Sequence, residues 1–358
     1  TTGISGGAGN VAFLIGVGTP GVGTPVGTRD GAPVGADETA AVEVRQILLL
    51  DPGSEGAQLD RFSALLAAIP DPQYVTYNGA SFDLPVLRSR FIMHRRQFPE
   101  ASHFDLLHLV RRLYARRIGS CSLGAVETQV LGNPRTDDVP GSEAPVRYLE
   151  YVRTGDNRVI EPVFLHHLRD IANLAEVALA LNGVLLGTDG SPREKDASLS
   201  SPQGPVAPDP LPPDPLSYAR FLIERGLPEY ADRARTLLEQ EYTVTAARVE
   251  RVRAFARSRG MRTTAGVHGR YPSAWTKTRE LLAELARKSG DREQYRAYAE
   301  ELYRELARYK DLIRLVKLLE HDAREYVRAI SLIEAWGATH GYDDALKHRL
   351  ARLRRQRA

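Results

Sequence analysis

The sequence predicts an α/β domain over residues 1–182, a linker over 183–215, and an all-α domain over 216–358. Three observations carry this expectation. In the first half, short apolar runs alternate with stretches of helical periodicity, as in strands interleaved with helices. Residues 183–215 are dominated by Gly, Ser, Pro and Asp, ending in Pro208-Asp209-Pro210-Leu211-Pro212-Pro213-Asp214-Pro215, and cannot build a core. From Ser217 the texture changes to Ala, Leu, Glu and Arg at helical spacing.

Taken in order, Val11–Gly18 reads as a buried strand. Thr19–Thr39 repeats Gly, Pro, Thr and Val and reads as a flexible loop. Val42–Leu50 is a second strand, closed by Asp51-Pro52-Gly53. A helix follows over Glu55–Ala68, with Leu59, Phe62, Leu65 and Leu66 on one face. Tyr74–Tyr77 is a short strand running into Asn78-Gly79, and helices are expected over Phe82–Arg96, Phe104–Tyr114 and Ser122–Val130. A long helix covers Glu161–Leu181, apolar at Val163, Ile171, Leu174 and Val177. Beyond the linker, Ala219, Leu222, Leu237, Leu238, Val249, Val252, Leu281, Leu282 and Leu285 set helical faces, with breaks at Gly226, Gly260, Gly290 and Gly337. Helix pairs of this kind stack into solenoids. The expected form is a short tetratricopeptide-like array, with an irregular helical bundle as the alternative.

Composition narrows the class. Hydrophobic residues make up 42% and charged residues 26%, as in an ordinary globular chain. No window approaches the roughly 18 uninterrupted apolar residues that span a bilayer, so no membrane partner is expected. No basic segment followed by an apolar core opens the chain, and Cys121 is the single cysteine, so no intramolecular disulfide can form. These features favour the cytoplasm. The net charge of +3 implies no nucleic-acid partner by itself. The clusters Arg88, Arg90, His94, Arg95, Arg96 and Arg111, Arg112, Arg116, Arg117 could attract phosphate or form a solvated face. The tail from Lys347 to Arg357 has no acidic residue and has the same two readings. Gly16-Val17-Gly18-Thr19-Pro20-Gly21 fits a GxGxxG string, but Pro20 and the Gly-Thr-Pro repeat open no helix, so a dinucleotide fingerprint is not expected.

The chemistry-bearing stretches are Tyr77-Asn78-Gly79-Ala80-Ser81-Phe82-Asp83-Leu84-Pro85-Val86-Leu87 and Val163-Phe164-Leu165-His166-His167-Leu168-Arg169-Asp170-Ile171. Hydrolysing a phosphodiester needs an activated water and relief of charge on phosphorus, and two divalent ions supply both when hard carboxylate ligands hold them. Asp83 at a helix start and Asp170 within a later helix could converge on such ions. Helix-dipole stabilisation is the plainer role for Asp83. His166 lies four residues before Asp170, on the same helix face, and could take a proton from water. The plainer role is a hydrogen-bonded His beside a solvated Asp. Gly79 allows close backbone approach, and Phe82 could pack on a base or sugar or belong to the core. Asp105, in His103-Phe104-Asp105-Leu106-Leu107, could sit near metal or cap a helix.

The two stretches resemble the second and last motifs of the DEDD exonucleases. Thr1-Thr2-Gly3-Ile4-Ser5-Gly6-Gly7-Ala8-Gly9, Asp138-Val139-Pro140-Gly141-Ser142-Glu143 and Tyr148-Leu149-Glu150-Tyr151 are similar to segments of YprB-type ribonuclease H-like proteins. Leu319-Glu320-His321-Asp322 and His348-Arg349-Leu350-Ala351-Arg352-Leu353 resemble the helical-repeat region often joined to them. The resemblance implies a ribonuclease H-like mixed sheet with flanking helices. It implies a metal-dependent 3′–5′ exonuclease using two divalent ions, Mg²⁺ or Mn²⁺, on a single-stranded nucleic-acid end. Asp83 and Asp170 would be metal ligands and His166 the base. Tyr77, Asn78, Gly79 and Phe82 would contact substrate, with His103, Asp105 and His167 as secondary candidates. Family members carry Tyr four residues, or His five residues, before the final Asp; this chain has His at four. Their first motif, Asp-x-Glu, lies immediately before Thr-Thr-Gly, whereas Thr1 is the first residue here. The expectation is a natural protein that begins upstream. The other reading is a non-catalytic scaffold whose repeats bind a protein or nucleic-acid partner.

Overall fold

The computed structural model describes residues 10–20, 28–29, 32–33, 42–134, 140–187, 211–259, 273–321 and 324–357. The chain divides into two compact units, Thr1–Pro213 and Asp214–Ala358.

In the first unit, strand β1 (Leu14–Pro20) pairs antiparallel with β4 (Val42–Leu48), placing Ile15 opposite Ile47 and Gly16 opposite Gln46. Within the stretch that reads as a loop, β2 (Thr28–Arg29) and β3 (Ala32–Pro33) form a two-residue antiparallel ladder. Strands β5 (Gln73–Thr76) and β6 (Ser102–Asp105) form a separate parallel pair, joined through helix α2 (Asp83–Met93). The mixed strand directions are thus divided between small sheets among the described residues.

Side chains alternate across β1 and β4, so the ladder has two different faces. One face carries Ile15 and Ile47 into a core with Leu59, Phe62 and Leu66 of α1 (Glu55–Ala67) and Leu84, Val86, Leu87 and Phe91 of α2. The other face carries Gly16, Gly18 and Gln46 and lies against a later helix, α6 (Asn157–Leu186). A Cβ on Gly16 would overlap Ile171 and His167 of that helix, and one on Gly18 would crowd Ile171. The two glycines, spaced for one strand face, therefore set how closely α6 approaches. At the strand entrance, Phe13 stacks on Tyr148 of α5 (Ala144–Thr154) with ring centroids 4.5 Å apart, beside Ile160 and Val163.

Several expected elements differ in extent: β1 runs Leu14–Pro20 rather than Val11–Gly18, and β4 ends at Leu48 rather than Leu50. The helix expected from Phe104 begins at Leu106 as α3 (Leu106–Tyr114), because residues 102–105 pair with β5. Helix α2 stops at Met93 rather than Arg96, since Arg95 turns to a positive φ of 54°. Helix α6 is longer than expected at both ends, starting where Asp156 accepts from Arg158 N. Between these, α4 (Leu123–Val126) continues into a wider π turn over Glu127–Leu131.

Four members of the cation run after Asp83 are paired within the first unit, and Arg95 is exposed. Arg90 and His94 both bond Glu55, whose side chain is buried, while Arg88 pairs with Glu100 and Arg96 with Asp60. Among the described residues no helix is long and apolar enough to cross a membrane.

The second unit is entirely helical where described: α7 (Pro215–Arg225), α8 (Pro228–Ser258), α9 (Ser273–Lys288), α10 (Arg292–Leu306), α11 (Tyr309–His321), α12 (Tyr326–His340) and α13 (Asp344–Arg357). Each helix packs on the next in sequence. Arg279 of α9, 2% exposed, is clamped between the rings of Tyr242 and Trp275 and bonds Glu301 at 2.8 Å, tying α8, α9 and α10 together. Breaks fall at Gly226 and Gly290 as expected, and Gly260 lies outside the described residues. Gly337 is not a break. It lies inside α12, where the Tyr342 ring occupies the space a Cβ would need, and the helix ends at His340 instead.

Candidate active site

The first half of the site is the turn between β5 and α2. Asn78 adopts φ +64°, a left-handed conformation Asn tolerates. A Cβ at Gly79 would press into the Thr76 side chain. Leu84 N then donates to Gly79 O at 2.9 Å, and α2 starts with Asp83 in its first turn. The turn is held from the neighbouring strand end. Asp105 Oδ1 accepts from Asn78 N at 2.8 Å and Leu107 N at 3.1 Å, and Oδ2 accepts from Ala80 N at 3.0 Å. One carboxylate thus caps α3 and fastens the turn that carries Asp83. Thr76 Oγ1 and His103 Nε2 are 2.8 Å apart, joining the two strands beside it. Tyr77 donates its hydroxyl to Cys121 O at 2.6 Å, and burial raises its pKa.

Phe82 is half-buried and precedes α2 without a side-chain cap. Asp83 is exposed, although many atoms surround its carboxyl. That crowding, with the nearby Asp105 charge, raises its carboxyl above the ordinary range.

The second half of the site lies on α6. His166 Nε2 is 3.3 Å from Asp170 Oδ2, with both side chains partly covered. Gly141 passes close to His166, where a Cβ would lie 3.8 Å from Nε2. The adjacent His167 turns towards the sheet. Gln46 Nε2 contacts Phe164 O at 3.0 Å and His167 Nδ1 at 2.9 Å. An amide nitrogen only donates, so Nδ1 of His167 is the acceptor and the neutral ring carries its proton on Nε2. Burial is the main cause that lowers its pKa to about 4. The two histidines are therefore chemically distinct: His166 faces a carboxylate, whereas the Nδ1 lone pair of His167 is committed to Gln46.

This asymmetry has a measurable consequence. A His buried neutral binds its proton less readily folded than unfolded, so the unfolded chain takes up more protons between about pH 6.5 and 4. The contribution is present above pH 6.5 and lost as the pH falls towards 4. Its size is on the order of 2 kcal/mol, allowing for the ring's residual exposure. Wild-type stability is expected to fall more steeply over that window than stability of His167→Asn, measured by denaturant unfolding at fixed pH values. Parallel pH profiles would contradict it.

Hard carboxylate oxygens at Asp83 and Asp170 suit a divalent cation. Among the described residues, however, no group of three or more His, Cys, Asp or Glu side chains is placed to hold a metal ion. Within those residues, Asp83 and Asp170 do not complete such a centre. Sequence reasoning missed Gln46, and it missed why Gly16 and Gly18 are glycines. Their signal is two glycines at alternating strand positions, which marks close approach by another element.

Residues 1–182 match the family RNase_H_2, described as RNase_H superfamily. The chain is 34% identical over 197 residues to "Uncharacterized protein YprB" of Bacillus subtilis (strain 168), a match covering 54% of this chain and 43% of that protein. The chain thus spans less than half the length of this curated relative. No solved structure matches it.

Proposed function

We infer the activity from one premise: this chain belongs to the RNase H superfamily, and its N-terminal unit is a nuclease-like domain of that kind. We read it as a metal-dependent 3′–5′ exonuclease acting on a single-stranded nucleic-acid end. The observation that carries this reading is the arrangement on α6. His166 is paired with Asp170, while the adjacent His167 is neutral and bound to Gln46. On this reading Asp83 and Asp170 would hold divalent ions, which would supply charge relief at the phosphate and activation of water. His166, oriented by Asp170, accepts the proton of the attacking water. The turn that Asp105 fastens at Asn78 and Ala80 presents Asn78 and Gly79 to the strand end, and Phe82 packs on the terminal nucleotide.

The alternative is a non-catalytic scaffold that binds nucleic acid or protein. The test is release of mononucleotides from a 5′-labelled single strand by the full-length protein, with Mg²⁺, with Mn²⁺ and with EDTA. Metal-dependent shortening from the 3′ end is expected. Strand binding without shortening in either metal would establish the scaffold reading instead.

A further inference from the structure

Behind the β5–α2 turn lies an open groove of about 660 Å³. That is within the range of about 300–1,000 Å³ typical of sites for nucleotide-sized ligands. Tyr77, Leu107 and Leu123 form its apolar wall, and Asn78, Arg111 and Ser122 its polar one. Its lining includes no carboxylate. The Tyr77 ring cannot swing freely, because its hydroxyl is bound to Cys121 O. Ser122 Oγ accepts from Ala125 N at 3.4 Å and from the Ser120 hydroxyl at 3.3 Å, so its own proton can point into the groove. Arg111 is exposed and, among the described residues, has no ion-pair partner. Of the four arginines on this stretch, Arg111 alone lines the groove; Arg117 instead donates to Pro212 O at 2.9 Å.

Three donors thus converge on a space with no negative wall, and Asn78 belongs both to this groove and to the turn leading to Asp83. Resting on the nuclease reading, we propose that this groove binds one nucleotide of a single strand, next to the linkage being cut. Arg111 and Ser122 hold its phosphate, and its base lies against Tyr77, Leu107 and Leu123. An exposed guanidinium facing apolar and hydroxyl groups suits a diffuse anion with an attached ring system. The paired cations at Arg88, Arg90 and Arg96 are neutralised in place and take no part.

The experiment is equilibrium binding of a fluorescein-labelled oligodeoxythymidylate to the full-length protein in EDTA, where no cutting occurs, over a series of salt concentrations. Arg111→Gln is expected to weaken binding by about tenfold and to reduce the salt slope by about 0.7, as for loss of one phosphate contact on a single strand. Asn78→Asp, which keeps the left-handed turn but adds a charge to the groove, is expected to weaken it similarly. Arg153→Gln, on the outer side of α5, serves as a charge-matched control with a smaller effect. Equal binding by Arg111→Gln and Arg153→Gln, with the wild type binding well, would overturn the groove assignment and leave the nuclease reading standing. A wild type that binds no strand, with or without metal, would overturn both. Unfolding midpoints of each variant separate loss of contact from loss of fold. Should Arg111→Gln not fold, Arg111→Ala measured in the same way decides in its place.

Discussion

Asp83→Asn in the full-length protein is expected to lower turnover by at least about a thousandfold, equivalent to about 4 kcal/mol of transition-state stabilisation. Asn keeps the shape of Asp and removes its charge, so the change falls on metal affinity rather than packing. The stability consequence has the opposite sign. The Asp83 carboxyl is raised in the folded chain by burial and by Asp105, so its ionised form is less favoured folded than unfolded. That penalty is absent below its unfolded pKa and complete above its folded one, hence complete at neutral pH. A neutral Asn escapes it, so the variant should be inactive and at least as stable as the wild type. Inactivity without loss of stability is the signature of a residue kept for function. Retained turnover in Mg²⁺ or Mn²⁺ would sink the assignment of Asp83 as a metal ligand.

Asp105→Ala is expected to destabilise the first unit by about 3 kcal/mol. The variant removes a helix cap, worth about 1 kcal/mol, and orphans the backbone donors of Asn78 and Ala80 at about 1 kcal/mol or more each. In a unit of this size, that lowers the melting midpoint by about 6–12 °C. Asp105→Asn retains one acceptor oxygen and should fall between. These two variants also separate the roles the sequence leaves open for Asp105. As a fastener of the turn, Asp105 loses activity in step with stability across both variants. As a metal ligand, it would lose nearly all activity in Asp105→Asn while most of the stability remained. The three backbone donors already gathered on its two oxygens favour the first outcome.

The legible parts of this fold share one property: they are set by neighbours in the chain. Helix α1 follows from the spacing of Leu59, Phe62 and Leu66, and all three are buried. The His166–Asp170 contact follows from a separation of four residues on a helix. The start of α3 was less legible, because Phe104-Asp105-Leu106-Leu107 suits a strand or a helix equally. Pairing with β5 settles the first two of those residues as strand. The arginines following Asp83 were illegible for the same reason. Whether a cation faces solvent, phosphate or Glu55 depends on a residue 35 positions away, as for Arg90.

By itself, the sequence determined the two-class organisation, the family and the order of the chemistry-bearing residues, because periodicity, composition and motif spacing are local quantities. Tertiary structure alone decided the rest. It turned His167 inward onto Gln46, made Asp105 the fastener of the Asn78–Ala80 turn, and left Arg111 facing a groove without a carboxylate. Each of these depends on contacts between residues far apart in the chain. Such contacts fix protonation and accessible charge through burial and geometry, which no local pattern encodes.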